Sequence, residues 1–172
     1  MAARQMRSTV AALLVAGSLL LVACGGSSKG GGVTHADFVA KADAVCQSIA
    51  RESKPTNDAI QALINSSGSF TSRLKRSPPL LRKTLALQTS KVKRIERLQR
   101  PKGDVARIAQ LVAAGRAELG DLRKAIPIAV RGDLADFIDF ATDETGHRGK
   151  VEQLGVDYGI RDDCFTLPVT LG

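Results

Sequence analysis

Between residues 105 and 126, Val105, Ile108, Val112, Gly115, Leu119, Leu122 and Ile126 recur three and four residues apart. Only an α-helix puts that spacing on one face, and a helix with such a seam is stable only when another helix covers it. Pro127 is expected to kink or stop this helix, because its ring clashes with the carbonyl four residues earlier. No run alternates polar and apolar residues long enough to build a sheet. The chain is therefore read as all-α, an antiparallel bundle of about four helices over residues 34–172.

The remaining helices follow from caps and breakers. Thr34 is a candidate N-cap with Asp37 three residues on, and Phe38, Ala42, Val45 and Ile49 share one face with Cys46. Pro55 interrupts that pattern, and Thr56 is placed to cap a second short piece carrying Ile60, Leu63 and Ile64, which ends at Ser66-Ser67-Gly68-Ser69. Ser77-Pro78 predicts a capped start for a second long helix that reaches about Arg100 and stops at Pro101. Gly103-Asp104 opens the third. Gly132-Asp133 opens a fourth, with Leu134, Phe137, Ile138 and Ala141 inward, fading through Thr145, Gly146 and Gly149, recovering at Val151 and Leu154, and closing at Tyr158-Gly159-Ile160 with a glycine C-cap.

Ahead of the helices, Arg4 and Arg7 precede an uncharged run from Val10 to Val22, too short to span a bilayer comfortably, which ends in Leu21-Val22-Ala23-Cys24. This resembles a bacterial lipoprotein signal. The resemblance implies that residues 1–23 are removed and that Cys24 is acylated and becomes the N-terminus; the alternative is an uncleaved helical anchor. Two or more acyl chains on one residue hold a protein stably at a membrane, on the extracytoplasmic face in this reading. The 149 residues that remain suffice for one domain with a proper core. Residues 24–33 read as a glycine- and serine-rich tether, in which 25–32 form a flexible coil with a reach of roughly 15–17 Å.

With Cys24 taken by lipid, Cys46 and Cys164 form an even pair in an oxidising compartment, the pattern of a structural disulfide. They lie 118 residues apart, so the chain-entropy argument gives about 5 kcal/mol before strain. Neither has a CxxC or CxxH neighbour that would suggest a metal or a reactive thiol.

Taken together, the acylated cysteine, the glycine/serine tether, the first helix Phe38-Val39-Ala40-Lys41-Ala42-Asp43-Ala44-Val45-Cys46, the Leu98-Gln99-Arg100-Pro101 break, the Gly132-Asp133 turn and the closing Tyr158-Gly159 with Cys164 resemble a group of small secreted lipoproteins of high-GC actinobacteria. The resemblance implies a lipid-anchored helical domain on the cell envelope and carries no activity with it.

Charge is the feature that points to function. Residues 73–102 hold eleven basic side chains against the single acid Glu96, a net +10. From residue 103 onward the net is −4. Arg82, Lys83, Lys91, Lys93, Arg94, Arg97, Arg100 and Lys102 are the candidates for contact with an anionic surface, either lipid or cell-wall polymer, where each cation adds about 1 kcal/mol. The competing reading has this helix neutralised inside the bundle by Asp133, Asp136, Asp139, Asp143 and Glu144. Nucleic acid is a poor partner, since the segment lacks Trp and Phe70 is its nearest aromatic.

Other patterns are weaker. Gly146-His147-Arg148-Gly149 has the letters of an RNA-clamping GxxG loop without the strands that module needs. Arg131-Gly132-Asp133 spells an adhesion tripeptide that a helix cap explains equally well. His35 and His147 have no sequence neighbours that would complete a metal site, and Asp162-Asp163 lacks the alternating oxygens that calcium wants. No catalytic constellation, metal site or cofactor motif is recognisable. The expected role is a binding or adaptor module with an unknown protein partner. A carrier of an apolar ligand, with Ala42, Gly115 and Ala141 leaving room between helices, is the alternative, and an envelope enzyme the remoter one.

Overall fold

A computed structural model describes residues 32–142 and 147–165, and among these the chain is all-helical, with six α-helices and no strand. The leader 1–23, Cys24 and all but the last two residues of the 24–33 tether lie outside the described residues, as do Asp143, Glu144, Thr145 and Gly146.

Helix α1 (His35–Ile64) starts where the sequence marks it. The Thr34 hydroxyl accepts the Asp37 N–H at 3.1 Å while the Asp37 carboxylate accepts the Thr34 N–H at 3.1 Å, a closed capping box. The expected break at Pro55 does not occur: α1 runs through it, and Thr56 is buried rather than capping. Pro55 and Arg51, whose carbonyl loses its usual partner, both lie on the exposed side, so solvent reaches the orphaned group. Pro127 repeats this in α4 (Val105–Arg131), which it neither ends nor stops, again with an exposed partner, Arg123.

Two elements depart from expectation in the middle of the chain. A short helix α2 (Phe70–Arg76), capped by the Ser69 hydroxyl, precedes α3 (Pro78–Glu96). The Ser77 hydroxyl does not cap α3; it donates backward to the Leu74 carbonyl at 2.7 Å, finishing α2 instead. The expected fourth helix is divided into α5 (Leu134–Thr142) and α6 (His147–Asp157).

Helix α3 packs against α1 on one side and α4 on the other, and α4 also packs against α6. The α4 seam holds at Ile108, Val112, Gly115, Leu119 and Leu122, whereas Val105 is exposed and Ile126 half-buried. Leu111, Ala114, Ala125 and Ala129 widen the buried stripe because α4 has neighbours on two sides. Phe38 and Ala42 of α1, Val92 and Ile95 of α3, and Val151 of α6 close the core around Ile108. On α5, Leu134, Phe137 and Ala141 are only half-buried, and Ile138, expected inward, is exposed.

Glycines end two helices, Gly159 where the sequence marks it and Gly132 at a position read from the sequence only as the opening of the next helix. Gly132, at φ +73°, terminates α4 with its N–H and that of Asp133 both donating to the Ile128 carbonyl. Gly159, at φ +89°, does the same for α6, where the Ile160 N–H returns to the Gly155 carbonyl at 3.0 Å and Ile160 is buried.

Candidate functional site

At 100° per residue, Arg82, Lys83, Ala86, Lys93, Arg94 and Arg97 fall within an arc of about 120° on α3 and its C-cap. Arg82, Lys83, Ala86, Lys93 and Arg97 are exposed, and this arc contains no acid. Arg94, half-buried, turns toward α1 and pairs with Glu52 at 2.9 Å, also donating to the Ser48 hydroxyl. The Ser48 hydroxyl and Arg94 together hold the Glu52 carboxyl below its usual range. Glu96, the one acid of α3, is taken by Arg116 of α4. Among the described residues, Arg82, Lys83, Lys93, Arg97, Arg100 and Lys102 have no ion pair. Helix α5, which carries Asp136 and Asp139 and starts just after Asp133, packs on α2 and α4 rather than beside α3. Arg73 and Arg76 have another task, donating to the Ile64 carbonyl and the Ser66 hydroxyl and so fixing the loop between α1 and α2.

Lys91 does not belong to that surface. It lies half a turn from Arg82, is 5% exposed, and donates to the Cys164 carbonyl at 2.7 Å, with its ammonium 5.5 Å from the Phe165 ring centroid. Burial pulls its pKa down to about 8, opposed by the charge of Glu118, whose own carboxyl is pushed up by burial. The candidate set of cations is corrected by this residue. Its position was readable: Thr84, Gln88, Lys91 and Ile95 repeat four, three and four apart, which is the buried line of α3. Thr84 Oγ1 and Gln88 Oε1 on that line are buried without a partner among the described residues.

Cys46 and Cys164 are bridged, with their Cα atoms 5.1 Å apart. Phe165 then lies against Gly155, where a Cβ would come within 1.9 Å of its ring. Next to it is a cavity of about 20 Å³ lined by Lys91, Val112, Gly115, Glu118, Val151 and Phe165, among others, room for one water. Gly115 there admits Val92 of α3, whose Cγ2 would be 3.1 Å from an added Cβ.

Both histidines, without partners in the local sequence, find aspartates across the fold. His35 Nδ1 lies 2.9 Å from Asp104 Oδ2, which also accepts the Tyr158 hydroxyl at 2.7 Å. The His35 and Tyr158 rings meet tilted by 45° with centroids 4.5 Å apart, and Phe38 meets the Tyr158 ring edge to face at 5.6 Å. Those bonds hold the Asp104 carboxyl low, and burial together with Asp104 pushes the Tyr158 phenol up. His147 Nδ1 lies 2.6 Å from Asp121 Oδ2. His35, the first residue of α1, is thus tied to the residue that precedes α4, and His147, the first of α6, to α4 itself. Sequence separations of 69 and 26 hide them from any local motif. Among the described residues, no group of three or more potential metal ligands gathers and no helix is long and apolar enough to cross a membrane.

The minor patterns resolve into local structure. Asp133 Oδ1 accepts the Asp136 N–H at 3.3 Å, so Gly132-Asp133 is a helix boundary. His147 to Lys150 form the first turn of α6, a helix where a GxxG clamp needs a loop. Asp163 accepts from Arg161 Nε at 3.1 Å. Comparisons with protein-family models, curated proteins and solved structures find no match to this chain.

Proposed function

We propose that this chain is a lipid-anchored binding module of the cell envelope, resembling the small lipoproteins of actinobacteria. In this reading, acylated Cys24 holds an antiparallel bundle of four principal helices, α1, α3, α4 and α6, on the extracytoplasmic face of the membrane. Its working surface is the outward face of α3. The observation that carries this reading is the acid-free arc of Arg82, Lys83, Lys93 and Arg97, exposed and without ion pairs among the described residues. Against an anionic surface four such cations supply roughly 4 kcal/mol, about a thousandfold in partitioning. The cavity of about 20 Å³ beside Gly115 is far too small for an acyl chain, so the gap left by that glycine is not a carrier site.

The test is co-sedimentation of the chain from residue 24 onward, carrying Cys24→Ser, with vesicles containing phosphatidylglycerol. Binding at low salt that fades as salt rises is expected. No binding at low salt, or binding indifferent to salt, contradicts the reading.

A further inference from the structure

The outward cations of α3 form a line rather than a cluster. From Arg82 to Arg97 the helix rises about 22 Å, whereas charges are screened beyond about 8 Å at physiological salt. A flat anionic surface therefore feels the whole line only when the helix axis lies parallel to it. With the domain standing on end, one terminus of the line is in range and the other is not.

The chain enters the domain at a known end of that line. His35, the first residue of α1, is bonded to Asp104, immediately after the turn through Arg97, Arg100 and Lys102 that ends α3. Eight peptide steps separate Cys24 from Gly32, a span of at most about 29 Å even fully extended. An anchor at Cys24 thus keeps the Arg97 end near the headgroups, with enough chain to cross the thickness of one helix, about 10–12 Å. The acids beside the line are already neutralised, Glu52 by Arg94 and Glu96 by Arg116.

We propose that the domain lies side-on against the anionic leaflet that anchors it, with the whole outward face of α3, from Arg82 to Arg97, on the lipid phosphates. This rests on the lipid-anchored reading above and extends it by choosing lipid over polymer and by giving an orientation. A polymer phosphodiester offers the same chemistry, but the short span from Cys24 holds the cations at the headgroup plane.

The experiment uses the chain from Cys24 onward, coupled through the Cys24 thiol to a maleimide lipid in vesicles, so that anchoring is independent of acylation in the host. The chain has no tryptophan, so Ala86→Trp on α3 and Gln153→Trp on the exposed face of α6 are each sole reporters. Headgroup-proximal brominated lipid is expected to quench the Ala86→Trp reporter on phosphatidylglycerol vesicles, not on neutral ones, with quenching lost in high salt; the Gln153→Trp reporter stays bright throughout. In the uncoupled chain, Arg82→Gln with Lys83→Gln is expected to weaken vesicle binding about 25-fold, as much as Lys93→Gln with Arg97→Gln. Binding that ignores Arg82 and Lys83 but needs Arg97 and Lys102 overturns the side-on geometry and leaves the anionic-surface reading standing. Loss of all vesicle binding removes both. A change in Ala86→Trp emission with soluble polyphosphate and none with anionic vesicles overturns the choice of lipid.

Discussion

Lys91 of α3 donates its ammonium proton to the backbone carbonyl of Cys164, the residue whose sulfur is bonded to Cys46 of α1. The C-terminal segment is thereby held from two helices at once, covalently by α1 and through a buried charge by α3. Phe165 follows and fills the space over Gly155 of α6.

Removing that charge leaves the Cys164 carbonyl without its donor and Glu118 with Arg148 as its remaining favourable charge. Lys91→Met is expected to cost about 1–2 kcal/mol in urea unfolding, because it leaves the Cys164 carbonyl without its donor. Adding Glu118→Leu to Lys91→Met should recover part of the loss, because it also removes the buried carboxylate whose opposing charge Lys91 supplied. A double change that costs the full sum of its parts would contradict this coupling.

The same burial gives an alkaline signature. The folded domain releases the Lys91 proton near pH 8, while the unfolded chain keeps it to the ordinary 10.5. In that window the unfolded state binds more protons, so the contribution of Lys91 to stability rises with pH from 8 toward 10. Above pH 10 the raised Tyr158 works in the opposite direction. Denaturation midpoints at pH 7.5 and 9.5 check this; the rise should vanish in Lys91→Met.

Tyr158 is the only tyrosine in the chain, so absorbance near 295 nm titrates it alone. Its phenol is expected to ionise well above 10 in the folded domain, and Asp104→Asn should bring it down toward the usual value by removing the facing charge. The Asp104 carboxyl, held low, contributes stability that is present above its unfolded value of 3.8 and is lost as pH falls below it. An unchanged phenol titration in Asp104→Asn contradicts the cluster.

Glycines separate space from propensity. Gly155→Ala puts a Cβ into the Phe165 ring and is expected to destabilise by about 1–3 kcal/mol. Gly120→Ala in α4 meets nothing within 4 Å and should stabilise by about 0.5–1 kcal/mol through helix propensity. Thermal unfolding of the two variants should shift in opposite directions.

What the sequence made legible has a physical boundary. The capping box of Thr34 and Asp37, the boundary at Gly132-Asp133, the glycine end at 159 and the seam through Ile108, Val112 and Leu119 are local, set by residues within one or two turns of each other. The all-helical class and the Cys46–Cys164 bridge followed from such local signals and from counting cysteines. Neither the expected break at Pro55 nor a stop at Pro127 occurs, because exposure, a tertiary property, decides whether a helix tolerates proline. The aspartate partners of the histidines were hidden by chain distance. Lys91 was misassigned for a different reason: it was counted among eleven charges along the chain, when its register with Gln88 and Ile95 already placed it on the inner line.

The most direct measurement compares Lys91→Gln with Lys93→Gln, two residues apart on one helix, in affinity for anionic vesicles at low salt and in melting temperature. Lys93→Gln is expected to weaken vesicle binding about fivefold and leave the melting temperature unchanged, while Lys91→Gln lowers the melting temperature and leaves the affinity alone. Equal loss of affinity in both, or none in Lys93→Gln, would contradict an outward binding face and an inward structural one on α3.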